Sequence, residues 1–231
     1  TWNELYEKVC KFSSYLKKLN LQKGDRVAAY VPNKIETIIC FLACAKNGII
    51  WSSCSPDFGA QGVVDRFKQI EPKVLITCDY YYYNGKKINI LDKVDQILNE
   101  ISSIKNVIAY NYNKKEKEDL KNFINFEETL NCNLNENFER FEFDHPIYIL
   151  FSSGTTGKPK CITHGTGNVL IEHNKEFMLH CDIRDKEKLF YYTTTGWMMW
   201  NWLVGGLATG SSIFLFDLSL IHISEPTRLR S

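Results

Sequence analysis

"RVAAYVPNKIETIICFLACAKNGIIWSSCS", residues 26–55, decides the fold class. Its two flanks, "RVAAYV" (26–31) and "IIWSSCS" (49–55), are short apolar runs that read as strands. Between them, "ETIICFLACAKNG" (36–48) is apolar on nearly every side and stops at Gly48. A run of that length and composition is a buried helix with a glycine terminator. Upstream, Leu5, Val9, Phe12, Leu16 and Leu19 keep helical spacing, and Thr1-Trp2-Asn3-Glu4 is a T-x-x-E capping box. "KGD" (23–25) turns that helix into the first strand. Downstream, "SPDFGA" (55–60) leads to a helix near 61–70, ended by Pro72, and "KVLIT" (73–77) is a third strand. Strands alternating with helices give an α/β fold: layered sheets of largely parallel βαβ units flanked by helices.

Residues 79–145 are less regular, with a helix at "LDKVDQILNEI" (91–101) and a strand at "NVIAY" (106–110). "NKKEKEDLKN" (113–122) mixes lysine with acidic residues and reads as a solvated connector, not a nucleic-acid patch. "IYILFSS" (147–153) is expected as a buried strand, followed by a helix near 168–180. "KLFYYTTT" (188–195) and "SSIFLFD" (211–217) are further strands around a Trp/Met-rich turn and helix.

The net charge of +1 gives no global attraction to nucleic acid or to an anionic membrane. No apolar run reaches the ~18 residues of a membrane span. The 8 cysteines form no C-x-x-C pair, which points away from zinc and toward a reducing cytoplasm. Cys40 and Cys44 have i,i+4 spacing, open to a metal-site face or to plain core thiols.

"FSSGTTGKPK" (151–160) packs two glycines, four hydroxyl side chains and two lysines into ten positions. It lacks the G-x-x-x-x-G-K-[ST] of the Walker loop, since Pro159 stands where the Mg²⁺-binding hydroxyl belongs. Gly154 and Gly157 permit positive φ and close backbone approach to an anion. Ser152, Ser153, Thr155 and Thr156 add hydroxyl donors, and Lys158 and Lys160 add mobile charge. Read as strand–loop–helix, the segment is a phosphate loop; the other reading, from composition, is a plain Gly/Ser/Thr surface loop, which the flanking strand and helix count against.

Ile149 to Lys160 resembles the AMP-binding signature of the adenylate-forming enzymes, the superfamily of acyl-CoA synthetases, luciferases and peptide-synthetase adenylation domains. The resemblance implies part of a large N-terminal domain whose loop closes over the β- and γ-phosphates of ATP. It implies two steps. A carboxylate attacks the α-phosphate to give an acyl-adenylate and pyrophosphate, and coenzyme A then displaces AMP. "IIWSSCSPDFGAQGVVDRFKQIEPKVLIT" (49–77), "YNGKKINIL" (83–91), "LHCDI" (179–183) and "YYTTTGWMMWNWLVGGLATGSSIFLFD" (191–217) resemble the acetoacetate-activating branch of that family, with the acetate-activating branch next to it.

The resemblance makes Thr155, Thr156 and Lys160 phosphate contacts, with Lys160 the catalytic charge; Ser152, Ser153, Gly154, Gly157 and Lys158 shape the loop. It puts Gly196, Trp197, Met198 and Met199 at the wall of an acyl pocket, although Trp and Met also start core helices. Asn201, four residues after Trp197, would share its helix face and donate to the ketone oxygen of acetoacetate. Lys86 and Lys87 align with a segment that touches the coenzyme A nucleotide in the acetate-activating branch, where arginines stand; a hydrated surface pair is the other reading. His164 reads as structural, and Asp57 as a cap of the next helix.

The family's Mg²⁺-holding acidic residue, ribose-binding Asp and C-terminal catalytic lysine are expected beyond residue 217, so no metal ligand is assigned here. The start on Thr1 and these missing parts read as an incomplete chain. "LSLIHISEPTRLRS" (218–231) departs from the family and reads as a non-native tail.

Overall fold

The Thr1 cap forms as its sequence predicts. Its Oγ1 accepts from the Glu4 amide at 3.3 Å, and Glu4 bonds back to the Thr1 amine. It opens α1 (Trp2–Lys18), the first element of a computed structural model that describes residues 1–83, 85–116, 119–120, 123–152 and 157–217. β1 (Arg26–Tyr30), α2 (Ile35–Lys46), β2 (Ile50–Cys54), α3 (Ala60–Phe67) and β3 (Val74–Cys78) follow as two βαβ units. Next come β4 (Tyr80–Tyr83), β5 (Lys86–Asn89), α4 (Leu91–Glu100), β6 (Asn106–Tyr110), β7 (Ile124–Asn125) and α5 (Phe126–Thr129). The last third holds β8 (Pro146–Ser152), β9 (Lys160–Gly165), α6 (Thr166–Lys175) with a π turn (Glu176–His180), β10 (Lys188–Phe190), α7 (Met198–Gly205) and β11 (Ser212–Phe214).

Seven strands form the main sheet in the order β7-β6-β3-β1-β2-β8-β9. Every pair is parallel up to β8, and only β9 runs antiparallel, against β8. β1 sits between β2 and β3 with Val27 opposite both Trp51 and Val74. Its sequence is apolar at successive positions because both faces of a parallel sheet are covered. Trp51 stacks on Trp200 of α7 at 6.4 Å, and Phe41 of α2 meets both rings edge-on at 5.9 and 5.8 Å. Such pairs add about 0.5–1.5 kcal/mol each beyond the area they bury. Cys40 and Cys44 point into the same core, and burial pushes both thiols up, away from the thiolate a metal needs.

Four local expectations change. The segment after the glycine loop is a strand, because residues 160–165 pair antiparallel along β8, from Lys160 opposite Ser152 to Gly165 opposite Pro146. β8 itself is buried only at Tyr148 and Ile149, and its other residues are partly exposed. "YYTTT" (191–195) leaves the sheet after Phe190, and Thr195 bonds instead to the Val31 carbonyl after β1. Tyr80–Asn89 forms a β4–β5 hairpin that apolar periodicity does not announce.

Candidate functional site

The carboxyl ends of β1, β2 and β3 gather three loops. Tyr30, at the end of β1, holds its hydroxyl 2.9 and 2.7 Å from the carbonyls of Pro56 and Phe58, which fixes the "SPDFG" loop after β2. Ser55 Oγ donates to Asp57 Oδ2 at 3.0 Å. Asp57 does not cap α3, whose N-cap is Gly59 without a side-chain bond. Thr193–Gly196 crosses the same edge. Thr195 Oγ1 donates to the Val31 carbonyl at 2.6 Å, and Ser53 Oγ donates to the Thr195 carbonyl at 2.6 Å. A Cβ on Gly196 would lie 3.0 Å from the Phe58 ring and 3.3 Å from the Ser55 nitrogen. Glycine is needed there for close approach of the two loops.

A cleft about the size of one water, 10 Å³, opens between these loops, lined by Asn33, Ser55, Asp57, Thr193, Thr194 and Asp217. Thr194 Oγ1 and Asp217 Oδ2 are buried without a hydrogen-bond partner among the described residues. Burial raises the Asp217 carboxyl above the usual carboxylate range, against the hydrogen bond from Tyr112. The signal for this cleft in sequence is only its place after three strand ends, where α/β sheets bind ligands.

The loop of "FSSGTTGKPK" leaves β8 at Ser152 and returns at Lys160, and those two residues are register partners. It is therefore a hairpin loop and not a strand-to-helix turn, so no helix dipole faces an anion there. The donors available are loop amides, hydroxyls and the two lysines. Gly157 has φ +102°, and no described residue lies within 4 Å of where a Cβ would stand. Lys158 and Lys160 are exposed, with no ion-pair partner among the described residues. Ser153, Gly154, Thr155 and Thr156 lie outside the described residues. The loop's exit is tied to α3's end by Gln69, whose Nε2 donates to the Pro159 carbonyl at 2.8 Å and whose Oε1 lies 3.7 Å from Cys161 Sγ. Nothing in the sequence marks Gln69; only the packing of α3 beside β9 brings it there. His164 packs tilted against Tyr148 with ring centroids 4.9 Å apart, and burial lowers its pKa.

The acyl-pocket candidates divide. Trp197 is 56% exposed and Met198 49%, with Met199 half-buried, beside Gly196 at the carboxyl edge. Asn201 is 2% exposed and lines a different cavity, between α6 and α7. The expected shared face fails because Trp197 is the N-cap of α7, with extended φ −111° and ψ 147°, so helical i,i+4 geometry does not begin until Met198. Lys86 and Lys87 also part. They are neighbours on β5 and so point to opposite faces. Lys87 Nζ sits 3.9 Å over the Tyr80 ring and 3.9 Å from Glu116, while Lys86 is exposed.

The pattern of the AMP-binding enzymes matches residues 1–222. The chain belongs to the AMP-binding enzyme family. Among its relatives, the acetoacetyl-coenzyme A synthetase of Rhizobium meliloti is 47% identical over 225 residues, which are 94% of this chain and 34% of that protein. The acetoacetyl-CoA synthetase of Mus musculus is 42% identical over 226 residues, with the same coverage of 94% and 34%. The solved acetoacetyl-CoA synthetase from Streptomyces lividans superposes with a TM-score of 0.91 at 42% identity, over 95% of this chain and 34% of that one. The chain thus spans about a third of the length of the relatives it matches. Among the described residues no helix is long and apolar enough to cross a membrane, and all 8 cysteines are free.

Proposed function

We propose that this chain is part of an ATP-dependent acid–thiol ligase that activates acetoacetate as its adenylate and passes the acyl group to coenzyme A. The observation that carries the reading is the glycine hairpin at the end of β8, with Gly157 at φ +102° and two exposed lysines, in a chain 42–47% identical to acetoacetyl-CoA synthetases. The hairpin fits a polyphosphate: it offers a backbone amide at a positive-φ glycine and two exposed lysines with no ion-pair partner among the described residues. Ser152, Gly157 and Lys158 shape the cradle, with Ser153, Gly154, Thr155 and Thr156 in the same loop. Lys160, rigid at its Cα because it is paired with Ser152, places its ammonium on the triphosphate and stabilises charge that moves onto pyrophosphate as the carboxylate attacks.

Trp197, Met198 and Met199, at Gly196, wall the acyl group, since apolar walls with few polar groups suit a small acid. Asn201 is not assigned to that wall. Lys86, exposed on β5, is the lysine left for the nucleotide end of coenzyme A, because Lys87 is held by Tyr80 and Glu116. ATP supplies the adenylyl group and the leaving pyrophosphate. Mg²⁺ is assigned no ligand in this chain, since the family's acidic ligand is expected beyond residue 217, and such an ion is held by one or two carboxylates together with the substrate phosphates. Residues 1–217 belong to the adenylation domain in this reading, and 218–231 to a non-native tail. The reducing cytoplasm fits eight unpaired thiols.

The test is ATP–pyrophosphate exchange with acetoacetate. A polypeptide with this chain's sequence extended to the relatives' length is expected to exchange, and the 231-residue chain alone is expected to stay at background. Exchange that is absent from the extended protein, or that needs a different acid, overturns the acetoacetate reading.

A further inference from the structure

The exit of the glycine loop has an anchor outside its own two strands. Lys160 opposite Ser152 is the outermost register pair of β8 and β9 among the described residues, and Pro159 lies one position further into the loop. The Gln69 amide reaches both neighbours of Lys160. Its Nε2 donates to the Pro159 carbonyl at 2.8 Å, and Cys161 Sγ lies 3.7 Å from its Oε1. The same Nε2 donates to the Asp65 carbonyl at 2.7 Å, one turn back on α3. Both protons of the amide nitrogen are thus taken up by carbonyls, which fixes the way the amide faces. Turned over, it would set one oxygen against two others.

The anchor is itself held. Phe67 and Ile70, on either side of the turn that carries Gln69, are buried. Arg26, at the start of β1, donates from Nε to the Ile70 carbonyl at 2.6 Å and from Nη2 to the Glu71 carbonyl at 3.2 Å. A chain of contacts therefore runs from a central strand, through the end of α3, to the peptide that joins Pro159 to Lys160. Successive residues of a strand face opposite sides, so Lys160 points away from the side on which Cys161 meets Gln69. Gln69 holds the backbone on either side of Lys160 and not its ammonium.

We propose that Gln69 is a positioning residue for the adenylation step, acting through Lys160. The inference rests on the reading of this loop as the polyphosphate cradle. Charge moves onto pyrophosphate as the carboxylate attacks, and a cation stabilises that charge best from a preset place. A small displacement of such a group has a large effect on rate. Strand pairing fixes Lys160 from the Ser152 side, while Gly157, at φ +102°, leaves the loop side free to bend. Gln69 restrains that second side.

The test uses the enzyme extended to the relatives' length. Gln69→Met keeps the length of the side chain and removes its polar atoms. It should lower kcat of ATP–pyrophosphate exchange about two- to ten-fold and leave the KM for acetoacetate unchanged. In a Lys160→Ala background the same change should cost less than about two-fold, because the group it positions is gone. Hydrogen exchange of the peptide 157–162 should quicken in Gln69→Met, while the urea midpoint should hold, since the side chain is exposed. Equal losses in the two backgrounds, a loss confined to thiolysis, or unchanged hydrogen exchange of 157–162 overturns the proposal. An extended enzyme that exchanges no pyrophosphate with acetoacetate brings down the functional reading and this role with it, and is told apart by hydrogen exchange at 157–162 that still answers to Gln69→Met.

Discussion

Ser152 and Lys160 stand opposite each other across the β8–β9 pair, so the glycine loop is closed at its base by strand pairing. Lys160 therefore presents its charge from a fixed backbone, unlike Lys158, which stands inside the loop. In the extended enzyme, Lys160→Ala should slow adenylation by about ten- to a hundred-fold, the effect of removing a charge-assisted contact of roughly 1.5–3 kcal/mol. Thiolysis from preformed acyl-adenylate should fall less. Equal losses in the two half-reactions, measured separately, would make the loop a support of the fold and not of the phosphates.

Asn201→Leu should leave the acetoacetate-to-butyrate ratio of kcat/KM unchanged in the extended enzyme, because Asn201 faces the α6–α7 cavity and not the Gly196–Met198 edge. A collapse of that ratio would return Asn201 to the acyl site as the reader of the ketone.

Gly196→Ala should destabilise the chain by about 1–3 kcal/mol, the cost of forcing an added carbon into packed surroundings. The new Cβ meets the Phe58 ring at 3.0 Å and the Ser55 nitrogen at 3.3 Å. Urea unfolding of Gly196→Ala alone and with Phe58→Leu separates the causes. The double variant should recover part of the loss, since the ring then yields and the backbone contact remains. A double variant that loses the sum of both changes would show that the two positions do not touch.

The parallel βαβ frame was legible because each run from Arg26 to Thr77 carries one dominant signal: apolar strands, an apolar helix, and stops at Gly48 and Pro72. β9 was not, because "KCITHG" is short and polar at Lys160, Thr163 and His164, and its strand state comes from pairing with β8 and not from its own propensity. That a loop follows β8 was legible from the glycines and hydroxyls of residues 151–160, a local property. Gln69, Thr194 and the Asn201 cavity were illegible, since each depends on which distant element lies beside it. Trp197 shows the narrowest failure: one residue of error in where α7 begins moved Asn201 to the wrong face.

Asn33→Leu should cost about 1–3 kcal/mol in urea unfolding, beyond the packing change, by leaving a buried donor unpaired. Asn33 Oδ1 accepts from Trp200 Nε1 at 2.9 Å, and Trp200 is fully buried between Phe41 and Trp51. In a Trp200→Phe background, which has no indole donor to strand, Asn33→Leu should cost less. An equal cost in both backgrounds would show that volume, and not the hydrogen bond, holds Trp200.

The last prediction concerns pH. Burial lowers the pKa of His173 and of His164 below the ordinary 6.5, with Glu172 opposing the shift at His173. For a base whose folded pKa is depressed, the unfolded chain binds protons more readily as pH falls. The stability from keeping these rings neutral is therefore complete above about 6.5, is lost as pH drops from there toward the folded values, and then levels off. Surface carboxylates such as Glu139 and Glu142, held below their ordinary 4.5 by Lys17 and Lys23, act only at lower pH, and the histidine double variant separates the imidazole part of the slope from that of Asp217, whose carboxyl burial raises. Urea midpoints should thus fall between pH 7.5 and 5.5 in the wild type. His173→Phe combined with His164→Gln should flatten that slope, whatever it does to absolute stability. Spectroscopic titration of both rings above 6.5, or an unchanged slope in the double variant, would show that α6 and β9 do not bury these rings in solution as they do here.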